Sequence, residues 1–138
     1  MSQKVYPQGL IRIANCSVDW VSDTIKVALY DETQNLSANV EFMSQVSATE
    51  FAGSGYARAT VVNKSITLDG NAVNFAGDAT FSSVSAGASD VQFAIYYKEV
   101  TDDTDSPVIC VGGWSTPQTP DGGDLELHPS RGVMVLKG

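Results

Sequence analysis

Histidine is nearly missing from this chain, and so is any concentration of positive charge. His128 is the single histidine among 138 residues and stands next to Pro129 in an expected turn. Catalysis by an imidazole base beside its nucleophile would rest on that one side chain, which reads as a surface or turn residue. The Gly-x-Ser-x-Gly order of a nucleophile elbow and the Gly-x-x-x-x-Gly-Lys of a phosphate cradle do not occur. Eight Lys and Arg stand against sixteen Asp and Glu, a formal net charge of −8, and the eight are scattered from Lys4 to Lys137. A phosphate backbone needs clustered cations to displace its counterions, so nucleic acid is not an expected partner. The acidity suits solubility, or complementarity to a basic protein surface.

Cysteine is also sparse. Cys16 and Cys110 are far apart and neither lies in a Cys-x-x-Cys pair, so zinc is not expected and the two read as lone thiols acting as small buried hydrophobes. The acidic run Asp102-Asp103-Thr104-Asp105 lacks the Asp-x-Asp-x-Asn-Gly register and the distal Glu of a calcium loop, and reads as a solvated hairpin tip. No cofactor or metal is expected. The remaining acids fall in loops, and a chain of this length has little room for the long cleft of a two-carboxylate hydrolase, so the chain reads as a non-enzyme. No apolar run nears the roughly 18 residues of a membrane span, and Pro7, Gly9 and Arg12 break any signal-peptide core. The expectation is a chain made and folded in a cytoplasm, with no membrane partner.

What is present is alternation. Hydrophobic residues make up 43% of the chain, enough for a single globular core. Across residues 24–30, Ile25, Val27 and Leu29 alternate with Lys26, Ala28 and Tyr30, the period-two mark of a strand. Residues 42–46 and 58–63 read as further strands. Ser47-x-x-Glu50 has the form of a capping box and predicts one helical turn. Asp69-Gly70-Asn71 is a tight-turn signature joining Ile66–Leu68 to Val73–Phe75 as a hairpin, and residues 79–84 follow as a separate strand. Residues 90–99 form the strongest core candidate, with Val91, Phe93, Ile95 and Tyr97 on one face and Ala94 and Tyr96 on the other. They pair in a hairpin with residues 107–112. A loop rich in Pro and Gly spans residues 117–123, and two last strands flank Pro129-Ser130. Leu10, Ile11 and Ala14 after Pro7 suggest a short helix.

About eight to ten short strands at this spacing predict an all-β, antiparallel β-sandwich, jelly-roll-like, with at most one or two helical turns. Residues 1–8 read as a flexible N-terminal arm and residues 9–138 as one sandwich domain. Tyr30 and Tyr96 fall on the outer face in this register, which makes them binding candidates. From predicted exposure, the expected partner interface comprises Val5 and Tyr6 of the arm with Tyr96 and Trp114.

Four segments in order carry a resemblance. They are Asp23-Thr24-Ile25-Lys26-Val27-Ala28-Leu29; Gly53-Ser54-Gly55-Tyr56; Ala94-Ile95-Tyr96-Tyr97-Lys98 with Ser106-Pro107-Val108-Ile109; and Gly122-Gly123-Asp124-Leu125-Glu126-Leu127. In order and spacing the chain resembles a group of small virion structural proteins of tailed bacteriophages, of the capsid decoration or cement type. It departs at His128, where an aromatic is usual, and in a longer last strand. The resemblance implies a protein on the outer capsid surface of the virion, made in the host bacterial cytoplasm. Its implied partners are the major capsid protein, whose subunits it bridges, and itself, as a dimer or trimer. A phage tail or fibre component and a carbohydrate-binding β-sandwich module are the alternative readings.

Overall fold

The alternating segments form strands. The computed structural model describes residues 2–31, 40–46, 49–128 and 133–137. Its strands are β1 (Ser2–Val5), β2 (Ile25–Tyr30), β3 (Ala59–Thr60), β4 (Val62–Asp69), β5 (Ala72–Phe81), β6 (Val91–Lys98), β7 (Val108–Gln118), β8 (Leu125–Leu127) and β9 (Met134–Lys137), with one helix, α1 (Pro7–Ala14). All pairs are antiparallel. One sheet has the order β1-β7-β6-β2-β3; in the other β5 is central, with β4 on one side and β8 and β9 on the other. No helix among the described residues is long and apolar enough to cross a membrane.

The sheets face each other across one core. Ile25, Val27 and Leu29 of β2, Ala94 and Tyr96 of β6 and Ile109 of β7 meet Phe75, Ala79 and Phe81 of β5, Leu127 and Met134. Trp20, 1% exposed, closes one end: its Nε1 donates to the Ala76 carbonyl at 2.9 Å, and its ring meets Phe75 edge-on. The five-stranded sheet is covered on its second face as well. There Ala28, Tyr30, Ile95, Tyr97 and Val108 pack with Tyr6, Val40 and Met43.

That second layer overturns the expected faces. Alternation within β6 is as read, but Ala94 and Tyr96 point into the core between the sheets and Ile95 and Tyr97 into the second layer. A register shift between Val91 and Phe93 sends Val91 to the Tyr96 side. Tyr96 is 1% and Tyr30 3% exposed, so neither offers a ring to solvent. Alternation reports two faces; it does not report which is covered when both are apolar.

Other expectations also changed. Residues 2–5, expected in a free arm, pair with β7 from Ser2↔Gly113 to Val5↔Cys110. Tyr6 follows fully buried, its amide on the Ile109 carbonyl at 3.0 Å. Its neighbours in the second layer supply the apolar contact that a terminal segment usually lacks. Residues 43–45 form a 3-10 turn rather than a strand, because the Gln45 side-chain oxygen accepts the amides of Glu41 and Phe42, both at 2.9 Å, and winds the chain. The two strands expected over 73–84 are one ten-residue strand; Ala76, Gly77 and Ala79 dilute its pattern without breaking it. The hairpin at Gly70-Asn71 forms as read, with Ile66↔Phe75 and Leu68↔Val73. Gly70 takes φ +60°, the pattern of a type II′ turn, whose first central position suits glycine. The helix after Pro7 and the 90–112 hairpin also form. The helical turn expected from Ser47 does not wind at its described end: Glu50 bridges Tyr30 antiparallel and the Phe51 amide bonds the Leu29 carbonyl at 2.8 Å, so the chain runs extended beside β2. Ser47, Ala48 and the turn at Pro129-Ser130 lie outside the described residues.

Candidate interaction surface

Ionisable groups are where chemistry would reside, and the most concentrated set is tied inward. Arg58, just before β3, uses all five of its N–H donors. Nε and Nη2 reach the two Glu50 oxygens at 2.8 and 2.9 Å, Nη1 and Nη2 reach the two Asp103 oxygens at 2.7 and 3.0 Å, and Nη1 also reaches the Tyr97 hydroxyl at 3.2 Å. The Tyr56 hydroxyl donates to Glu50 at 2.6 Å and accepts the Leu29 amide at 3.0 Å. Hydrogen bonds to Glu50 and then Asp103 push the Arg58 guanidinium further up its already high range, while Arg58 holds the Asp103 carboxyl below the usual carboxylate range. Burial raises the Tyr56 hydroxyl, which therefore stays protonated. The knot joins β2, β6 and the loop after β6, and leaves no donor of Arg58 for a ligand.

The rest of the acidic loop is also self-satisfied. One Asp105 oxygen accepts the amides of Thr101 and Asp102 at 3.0 and 2.9 Å, and one Asp102 oxygen accepts the Thr104 amide at 2.8 Å. Those backbone donors hold the Asp105 carboxyl low. Among the described residues no three His, Cys, Asp or Glu side chains are grouped to hold a metal ion. His128 is exposed on β8's end, bracketed by Asp78 at 3.0 Å and Glu126 at 3.2 Å, and these two carboxylates raise its pKa. Both cysteines are free, but only Cys110 is buried as expected; Cys16 is exposed, in the turn that follows α1 with φ +64°. Burial alone drives the Cys110 thiol upward.

The expected interface residues fall into two places. Val5, Cys110 and Tyr96 are cross-strand neighbours, since Cys110 of β7 pairs with Val5 on one side and Tyr96 on the other. Val5 is half-buried against the core between the sheets, while Tyr6 and Tyr96 are closed off from solvent. Their hydroxyls are buried with no hydrogen-bond partner among the described residues. Desolvation raises both; Tyr6 reaches about 12.

Trp114 is different. It is half-buried on β7, one edge against the core. It walls an open groove of about 230 Å³ that continues along Gln118, Asp121, Asp124, Leu125 and Glu126. The chain makes this groove because β7 runs on past Trp114 to Gln118 and then folds back onto β8. The Gly122 amide on the Val84 carbonyl at 2.8 Å, and the Val84 amide on Gly123 at 3.0 Å, pin the returning loop. Asp124 holds the Ser83 amide at 2.9 Å and Asp121 the Gly123 amide at 3.0 Å. Among the described residues no Lys or Arg lines the groove, so three carboxylates share it with the Trp114 indole. That combination favours a cationic group, which an aromatic face and carboxylates attract together. The sequence signal was present, three acids within six residues around Gly122-Gly123. It is invisible without the fold-back that brings them to Trp114.

Comparison with known proteins gives no family assignment: no family model, no curated protein and no solved structure matches this chain.

Proposed function

We propose that this chain is a non-enzymatic virion structural protein of the capsid decoration or cement type, docking on the outer surface of the major capsid protein and joining neighbouring subunits. The observation that carries the docking is the Trp114 groove, an aromatic wall with three carboxylates and, among the described residues, no Lys or Arg, on a molecule of net charge −8; of the three, Glu126 also meets His128 at 3.2 Å. It suits a Lys or Arg side chain projecting from a basic partner surface. The absence of turnover is supported by the Arg58 knot, whose ionisable groups satisfy one another. The phage assignment rests on the four ordered segments of sequence resemblance. Repetition over a lattice makes a modest single contact sufficient, since a copy holding two subunits gains effective concentration.

The test is incorporation. Purified protein added to particles lacking it should bind in hundreds of copies per particle and raise resistance to heat. Replacing Asp121 and Glu126 together by Asn and Gln should weaken binding roughly 5- to 30-fold, equivalent to about 1–2 kcal/mol. Particles equally heat-resistant with and without the protein would refute the cement role, and a copy number of a few dozen would point to the tail. A second reading, a carbohydrate-binding module, is favoured by the indole face beside Gln118 and Asp121. It predicts a change in Trp114 fluorescence on adding glycans, readable because Trp20 is 1% exposed and shielded.

A further inference from the structure

We infer that β4 is a self-pairing edge: two copies of this chain join through antiparallel β4 strands, with the two-fold axis passing at Thr67. The inference is independent of the capsid reading. β4 has β5 on one side and no strand on the other among the described residues. Natural edge strands are protected by charge, proline or bulges. The bulge of β4 lies between Val62 and Ser65, at Asn63 with φ +54°, and leaves Ser65-Ile66-Thr67-Leu68 regular, without charge or proline. On that stretch Ile66 is 46% and Leu68 77% exposed. Both face the same side as Phe75 and Val73, their partners on β5.

Hydrogen-bond parity selects which groups are free. The hairpin turn has two residues, so its closing pair Asp69↔Ala72 exchanges both backbone hydrogen bonds and the pattern alternates from there. Asp69, Thr67 and Ser65 direct their amides and carbonyls to β5. Ile66 and Leu68 direct theirs outward. A second β4 centred on Thr67 places Ile66 opposite Leu68 of the other copy, and Leu68 opposite Ile66, so the outward groups of both copies meet. The same register puts Thr67 against Thr67 and Ser65 against Asp69, favourable cross-strand pairs with no like charges opposed. Centring on Ile66 would instead set Leu68 against Lys64. The segment 65–69 is thus close to a palindrome in side-chain type, which is what a two-fold contact requires.

Charge also favours a second copy here. The protein carries −8, yet β4 holds one Lys and one Asp and sums to zero, an approach path of low repulsion between two acidic molecules. A standard stable interface takes about 800 Å² from each partner. That is about a ninth of this chain's 6946 Å² surface, more than five paired residues cover. The pair is therefore weak in dilute solution. It strengthens with salt, which screens the net-charge repulsion, and, being two-fold, it uses the β4 edges of both copies in one contact.

The experiment uses the whole chain. With Cys16→Ser in place to remove the exposed thiol, Thr67→Cys puts two thiols at the dyad. A non-hydrogen-bonded pair has Cα atoms about 4.5 Å apart, within disulfide reach. Ser65→Cys leaves its thiols four residues out of register, roughly 13 Å apart. The expected result is a disulfide-linked dimer from Thr67→Cys at least about tenfold faster than from Ser65→Cys. In the unmodified protein, raising concentration or salt should slow amide exchange at Ile66 and Leu68 and leave Ser65 and Thr67 unchanged. Equal crosslinking rates, or exchange at Ile66 and Leu68 independent of concentration, would overturn the pairing. Neither outcome touches the capsid reading, which is measured on particles.

Discussion

Arg58→Ala is the substitution whose consequence the structure quantifies best. It removes five hydrogen bonds at once and leaves the Glu50 and Asp103 carboxylates facing each other across the vacated space. Side-chain exposures of 22% for Arg58, 32% for Glu50 and 45% for Asp103 place the knot between the two measured regimes. Exposed ion pairs contribute about 0.2–1 kcal/mol each, whereas removing one partner of a buried pair costs about 3–5 kcal/mol. The expected loss is about 2 kcal/mol, with the guanidinium 5.3 Å over the Tyr97 ring adding a minor part. For a chain of this size that lowers the melting temperature by roughly 6–8 °C. Arg58→Lys should recover less than half, because one ammonium cannot span four carboxylate oxygens. The pH dependence is a sharper check. Asp103 is held below its ordinary carboxylate pKa, mainly by its hydrogen bonds to Arg58. A depressed folded pKa contributes stability that is present above about pH 4 and lost as pH falls through the folded value. Urea unfolding of both proteins should therefore show the gap between them narrowing from pH 7 to pH 3. A gap under about 0.5 kcal/mol at pH 7, or one unchanged in acid, would refute the view that the knot stabilises the fold.

Tyr56→Phe should cost about 1–3 kcal/mol by urea unfolding, since it strands the Leu29 amide and removes a donor to Glu50. Gly9→Ala should destabilise by about 1–3 kcal/mol, because a Cβ there would lie 2.5 Å from the Ile109 carbonyl oxygen, and backbone rather than a pliable side chain must move; a variant as stable as the parent would show that α1 is not seated against β7. By NMR, His128 should titrate above 6.5 and return toward it in Asp78→Asn. Its raised pKa means that any stability it confers is full below about 6.5 and fades as pH climbs through the folded value.

Legibility in the sequence tracked how local each cause was. The β4–β5 hairpin, the 90–112 hairpin and α1 were legible because a turn residue, an alternation or a helix-starting proline specified each within a few positions. Tyr96 was misassigned because β6 is apolar on both faces and nothing local says which layer covers which. The arm was misread for the same reason: β1 is ordered by pairing with β7, more than a hundred residues away. Arg58 gave no signal, since Glu50, Tyr97 and Asp103 converge on it only in three dimensions. Of the expected interface residues, Trp114 borders the groove described above.

The five-stranded sheet is clamped between two apolar layers, whereas the four-stranded sheet has one face in water. Resistance to opening should therefore be unequal across the molecule. Amides in β2 and β6 report only complete denaturation, while β4 and its hairpin can peel and reseat many times beforehand. The protein would soften from one side, with its central slab the last part to yield.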